Sequence, residues 1–334
     1  MIALSAAGSL LPVSYCLLPV PYCLKRRSDP MPATAVWNVQ SPHRNDIQVS
    51  IWLPEGRPRA VIQLFHGMAE HIARYDRPAT ELARRGYAVV GHNHQGHGPE
   101  TPKEKLGYFY DKDGWISIME DGYAVTEAVK KRLPGIPLVL LGHSMGSFLA
   151  REYVLRYGDV LDGLILSGTG WYPATVCSAG ALIAGVANPK KPALFVDKMA
   201  FSGNNKPFVP ARTPFDWLSR DKAEVDKYMA DPYCGFTFTG RAFHDFFEGL
   251  KALTKLERLS AMPAKLPVYF MSGDRDPVGQ MGKGVLEVAE QFRKAGLTDV
   301  SVHLYDGARH ELFNETNRDE VLHELTAWLD EHFR

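Results

Sequence analysis

From residue 47 onward the chain alternates short β-branched or apolar runs with longer stretches of helical period, and this alternation restricts the fold more than any other feature. The runs are IQVSIWL, AVIQLFH, YAVVGH, LVLLG, LILSG, PVYFMSG and SVHLY. Between them, Arg77 to Arg85, Ile116 to Arg132, Ser147 to Tyr157, Gly284 to Ala295 and Arg318 to His332 carry apolar residues at helical spacing. Parallel strands need crossovers, and helices supply them, so the pattern predicts an α/β fold: a mainly parallel central sheet flanked by helices on both faces.

The rhythm breaks after LILSGTG. Residues 171–250 hold no clear buried strand, but a small-residue apolar stretch (Ala179 to Val186), a stretch rich in Pro, Gly and Asn (Asn188 to Pro214) and the aromatics of FTFTGRAFHDFF. About 80 residues are too many for a plain connection, so this segment is expected to fold as a largely helical cap over the carboxyl edge of the sheet, where open α/β sheets bind ligands. The core is then assigned to residues 31–170 and 251–334. Phe236, Phe238, Phe243, Phe246 and Phe247 are expected to form the core of the cap, with an apolar lining for a bound chain as a compatible second role.

Residues 1–30 stand apart. LPVSYCL at 11–17 is followed at once by LPVPYCL at 18–24, a two-copy repeat that holds Cys16 and Cys23. Its prolines interrupt a helix, and Lys25, Arg26 and Arg27 follow the apolar segment where a secretory signal would place them before it. The expectation is an extension that is disordered or not native, with Met31 as a second possible start. Lys plus Arg and Asp plus Glu balance at 38 each, which provides no basic field for nucleic acid. The absence of an apolar run of about 18 residues argues against stable membrane insertion. The four cysteines form no CxxC pair and no zinc-like spacing, the pattern of a reduced, cytoplasmic protein, and Cys177 and Cys234 are expected to be free thiols.

The chemistry concentrates at PLVLL-GHSMG-SFLAREYVLRY, where Ser144 sits between Gly142 and Gly146, after a strand and before a helix. That is the order a nucleophile elbow requires, with a tight turn that holds the serine hydroxyl exposed and glycines where side chains would strike the neighbouring strand and helix. A serine needs a histidine to take its proton and a carboxylate to orient that histidine, in the chain order Ser, Asp or Glu, His. His310, in a loop past the last strand, is the base; His303 falls in a strand, and His323 and His332 on the terminal helix. For the acid, Asp274 and Asp276 in SGDRDPVG both follow a strand, and local reasoning leaves both open. Oxyanion donors are expected from the Met145 amide, next after the nucleophile, and from Met68 in the loop FHGMAEH.

His66, His71, His92, His94 and His97 crowd two loops, yet no HExxH helix or Asp and His cluster of metallohydrolase type accompanies them. They are read as hydrogen-bonding supports of the oxyanion loop, with no metal and no cofactor in the reaction.

HGMAEHIARYDRPATELARRGYAVVGHNHQGHG, GHSMGS, SGDRDPVG and GARHELFNE together resemble, block by block, the monoglyceride lipase and lysophospholipase branch of the serine α/β-hydrolases, of the serine aminopeptidase S33 type. The likeness runs from about residue 40 to the C-terminus and enters the insertion at FDWLSRDKAEVDKYMADPYCG. It implies Ser144, His310 and Asp276 as nucleophile, base and acid, Asp276 being favoured by the register of Gly273 to Asp276, and the Met68 and Met145 amides as oxyanion donors. It further implies a small-molecule, lipid-like ester of an acyl chain as substrate, a monoacylglycerol or a lysophospholipid. Asn93 departs from the aspartate usual in such proteins and is read as a loop-shaping residue. A peptidase of the prolyl type shares the triad, and a catalytically silent binding protein of this fold would have lost a member of it.

Overall fold

A computed structural model describes residues 35–334. The tandem repeat, Cys16 and Cys23, and the expected extension 1–30 lie outside the described residues.

Eight strands form one sheet in the order β1-β2-β4-β3-β5-β6-β7-β8. They are β1 (Ala35–Val39), β2 (Ile47–Trp52), β3 (Val61–Phe65), β4 (Ala88–His92), β5 (Leu138–His143), β6 (Gly163–Ser167), β7 (Val268–Gly273) and β8 (Val300–Tyr305). β1 pairs with β2, and β2 with β4, antiparallel; every other pair is parallel. Strands β2 to β8 are the seven runs singled out in the sequence. β1 was not among them, because AVWNV is a five-residue edge strand with every residue but Val39 exposed or half-exposed and no buried run to mark it.

Helices α1 (Asp76–Arg84), α2 (Gly114–Arg132), α3 (Met145–Tyr157), α8 (Lys283–Lys294) and α9 (Arg318–His332) are the crossovers and the C-terminal helix; between β6 and β7 lie α4 (Ala174–Gly185), α5 (Leu194–Phe201), α6 (Lys222–Ala230) and α7 (Gly240–Ala252). The sheet is buried on both faces, and its strands divide their side chains accordingly. On β3, Val61 and Phe65 join the larger core with Ile118, Val125, Phe148 and Val288 of α2, α3 and α8. Ile62 and Leu64 point the other way, to Leu82 and Ala83 of α1 and Leu325 and Trp328 of α9. Gln63, fully buried between them, donates to Gly122 O at 2.7 Å and accepts from Thr126 Oγ1 at 2.7 Å, so its amide is satisfied by α2.

Because β5, β6, β7 and β8 are consecutive and parallel, the loops that leave them open on one edge of the sheet. This topology gathers residues 144, 276 and 310. The helices between β6 and β7 pack on each other and on α2 and α3, with α7 against α4 as their largest contact. No helix among the described residues is long and apolar enough to cross a membrane.

Candidate active site

Ser144 joins β5 to α3 with φ 53° and ψ −120°, a left-handed conformation that costs a non-glycine residue about 1–3 kcal/mol. Its flanking glycines make the turn possible. A Cβ on Gly142 would lie 2.3 Å from Gly146 O and 2.8 Å from Ser147 Cα, and one on Gly146 would lie 2.0 Å from Phe65 O. A methyl at either position would collide with α3 or with the end of β3. The Ser144 N–H donates to Ser167 O on β6 at 2.9 Å, which ties the elbow to the neighbouring strand.

Of the two aspartates after β7, Asp276 reaches the histidine: its Oδ2 lies 2.9 Å from His310 Nδ1, with both side chains buried. Asp276 is held in turn by the Val278 N–H, which donates to Oδ1 at 2.9 Å. Asp274 stays at the strand end, where its N–H donates to Tyr305 O at 3.1 Å. Burial pulls the His310 pKa down, but the facing Asp276 carboxylate overrides it and leaves the imidazole above its ordinary value of 6.5. His310 Nδ1 is therefore committed to the carboxylate, and Nε2 remains for proton transfer.

The loop after β3 is built from internal hydrogen bonds. Gly67 N–H donates to Glu70 Oε1 at 2.6 Å and Ala69 N–H to His97 Nε2 at 3.3 Å. Between them the Met68 N–H finds no acceptor among the described residues, and neither does that of Met145, the first residue of α3. Ala69 itself has φ 51°, a second left-handed non-glycine residue next to the site.

Three of the five histidines support this loop, while the His71 ring bonds Asp231 instead. His66 Nδ1 lies 2.8 Å from Gly67 O, His66 Nε2 accepts the His94 N–H at 3.0 Å, and His97 holds Ala69. His92 makes no such bond: both ring nitrogens are buried without a partner among the described residues. Burial lowers His66 and His92 to about 3 and His143, beside His310, to about 4. Asn93 shapes the loop through both amide atoms, accepting the Ile72 N–H at 2.8 Å and donating to Glu100 at 2.7 Å. An aspartate there would set two carboxylates face to face.

A salt-bridge network that the sequence did not reveal ties the loop after β3 to the loop that carries His310. Arg74 Nη1 lies 2.6 Å from Glu70 Oε2, and its guanidinium spans Glu311 at 2.6 and 2.7 Å. Glu70 also accepts from Tyr75 at 2.8 Å. Glu70 lies in the loop after β3 and Glu311 next to His310, so one half-buried arginine sets the spacing of the two.

Ser144, His310, Met68 and Met145 all face a cavity of about 660 Å³. Its far walls are apolar, from Val176, Ile183, Phe201, Phe246, Phe247 and Leu250 of α4, α5 and α7. The five phenylalanines thus separate: Phe238 and Phe243 are fully buried, while Phe236, Phe246 and Phe247 line the cavity. Cys177 is buried and Cys234 half-buried, both as free thiols.

A serine held at a strained turn, a histidine with one nitrogen fixed by a carboxylate, and two unengaged amides around one cavity suit acyl transfer. The comparisons with known proteins agree with this chemistry. The chain is 29% identical over 290 residues to a monoacylglycerol lipase of Mycolicibacterium smegmatis, covering 86% of this chain and 93% of that protein. It is 28% identical to a monoglyceride lipase of Mus musculus, over 83% of this chain and 84% of that protein. A thermostable carboxyl esterase from Bacillus coagulans, solved with glycerol, superposes with a TM-score of 0.81 at 29% identity over 90% of this chain and 99% of that one. The profile of the serine aminopeptidase S33 family matches residues 56–317, and the chain belongs to that family of α/β-hydrolases.

Proposed function

We propose that the protein is a carboxylic ester hydrolase that cleaves acyl esters through Ser144, His310 and Asp276, with a monoacylglycerol or a lysophospholipid as substrate. The observation that carries the reading is the placement of Ser144, at its strained φ of 53°, on an apolar-walled cavity shared with His310 and the Met68 and Met145 amides. In this mechanism the Ser144 hydroxyl attacks the ester carbonyl as His310 Nε2 takes its proton. Asp276 stabilises the imidazolium, and the two amides donate to the oxyanion. The imidazolium then protonates the departing alcohol, and water, deprotonated by the same imidazole, attacks the acyl-serine and frees the acid. Residues 171–250 act as the cap, whose helices supply the walls against which an acyl chain packs at about 0.8 kcal/mol per buried methylene. Homologues named for monoacylglycerol support that substrate class.

Aminopeptidase activity is the competing reading, and it needs a carboxylate for the substrate ammonium. Glu70 and Glu311 on the cavity wall are already engaged by Arg74, and Asp197 lies on α5, away from Ser144 between β5 and α3. The test is hydrolysis of p-nitrophenyl esters of increasing chain length, a monoacylglycerol and aminoacyl amides by the wild type and by Ser144→Ala. The wild type is expected to cleave the esters and the variant to lose at least about 10³-fold in kcat/KM. Cleavage of the amides alone, or an active Ser144→Ala, overturns the proposal.

A further inference from the structure

The turn after α6 sets a carboxylate and a thiol three residues apart, Asp231 and Cys234, and packs both against His71. The Cys234 N–H closes that turn on Asp231 O at 3.1 Å, so the backbone fixes the spacing of the two side chains. His71 Nε2 lies 2.8 Å from Asp231 Oδ2, and one ligand-type atom from each of His71, Asp231 and Cys234 falls within 4.8 Å of the others. His71 is only 8% exposed, and its Nδ1 has no hydrogen-bond partner among the described residues. The proposed hydrolysis uses none of these three groups.

The geometry points to a binding site for a thiophilic divalent cation of the zinc class, held by the His71 imidazole, the Asp231 carboxylate and the Cys234 thiolate, with a fourth position open. The mixed N, O and S donors suit such an ion. Tetrahedral bonds of about 2.0–2.3 Å put ligand atoms about 3.3–3.7 Å apart, so His71 and Asp231, now 2.8 Å apart, open by about 0.5 Å while the widest separation, to Cys234, closes by about 1 Å when it binds. The surrounding charge also suits a dication. Glu70, Asp231 and Glu311 act on Cys234 against the guanidinium of Arg74. A bound cation displaces the thiol proton: the S–H bond breaks, an S–metal bond forms and one proton passes to solvent.

The site is coupled to the proposed oxyanion loop. Gly235, next after Cys234, donates its N–H to Ala69 O at 2.9 Å, and the Tyr228 hydroxyl donates to the same oxygen at 3.1 Å. Contraction of the turn around a cation pulls on Ala69 and so on the Met68 amide beside it. The loaded protein is therefore the slower one, and the metal-free protein is the active form.

Chelator-treated full-length protein is titrated with Co²⁺ and with Zn²⁺, and then assayed on a p-nitrophenyl ester. The expected result is one cation per chain, a thiolate-to-cobalt charge-transfer band and one proton released. Cys234→Ser removes the band and weakens binding at least about tenfold, whereas Cys177→Ser and the double variant Cys16→Ser, Cys23→Ser keep both. Asp231→Asn, which preserves the shape of the turn, must also weaken binding. An equivalent of Zn²⁺ slows ester hydrolysis by the wild type, a chelator restores it, and Cys234→Ser is insensitive. No thiolate band in the wild type, or one that survives Cys234→Ser, overturns the site. Binding that depends on Cys234 but leaves hydrolysis unchanged overturns the coupling. Only the activity arm rests on the ester-hydrolase reading; a protein that cleaves no ester still decides the binding arm.

Discussion

Acid should unfold this protein well above the range in which carboxylates titrate, because it buries neutral histidines. His66 and His92 fall to about 3 in the folded chain and His143 to about 4, from 6.5, and burial is the largest cause for each. The sign follows from proton linkage: below pH 6.5 the unfolded chain binds protons at these positions and the folded chain does not. Each contribution is near zero above pH 6.5, turns unfavourable as pH falls through that value, and levels off only near the folded pKa. Between pH 7 and pH 5 this amounts to about 2 kcal/mol per histidine, or about 6 kcal/mol for the three. A domain has about 5–15 kcal/mol in total, so the loss is a large part of its stability. His94 and His97 are depressed in the same direction and add to it, while His310, held above 6.5 by Asp276, opposes with one group.

Urea unfolding followed by tryptophan fluorescence at pH 7.5 and pH 5 measures the effect. With a slope of about 3 kcal/mol/M, the midpoint should drop by about 2 M. His92→Leu isolates one contribution: it removes two unpartnered ring nitrogens, so the variant should be no less stable at pH 7.5, and its loss at pH 5 should be smaller by about 2 kcal/mol. A wild-type midpoint that moves less than about 0.5 M between the two pH values would refute the assignment of neutral, acid-resistant imidazoles to this cluster.

Two further perturbations probe the site. In the proposed mechanism His310 must be neutral to accept a proton, and Asp276 holds its pKa above 6.5, so the acid limb of the kcat/KM profile should lie above pH 6.5. Asp276→Asn leaves burial unopposed, so the limb should move below that value while kcat falls by about 10⁴-fold; a limb that stays in place would assign the acid to another group. Arg74→Met leaves Glu70 and Glu311 buried without a counter-charge and should cost about 3–5 kcal/mol in urea unfolding at pH 7.5. Adding Glu70→Gln and Glu311→Gln should recover part of that loss, and a single variant within about 1 kcal/mol of wild type would show that the network does not hold the two loops.

The features legible in the sequence were those imposed on a few adjacent residues. A strand, a turn with positive φ and a helix can follow one another only with small residues around Ser144, and so the elbow could be read locally. The order of parallel strands then placed the expected acid and base in later loops, which singled out His310 as the candidate base. The choice between Asp274 and Asp276 could not be settled locally, because it depends on how the end of β7 lies against the histidine loop. A Cβ on Gly273 would sit 2.0 Å from Ala308 O, and this close approach fixes where each following residue points. The Arg74 network was further out of reach: 237 residues separate Arg74 from Glu311, and neither residue type is unusual in its own stretch of sequence. The same reasoning explains the phenylalanines, whose clustering was plain while their orientation was not. On α7 the side chains of Phe243 and Phe246 are three residues apart, yet one is sealed in the core and the other meets the cavity. Their difference comes from what each side of the helix meets: Phe243 packs on Phe201 and Phe238, and Phe246 on Trp115 and Phe148. Under the proposed function, chain-length specificity then depends on helix placement in the insertion, and substitutions at Phe246 and Phe247 should alter it where those at Phe243 change stability instead.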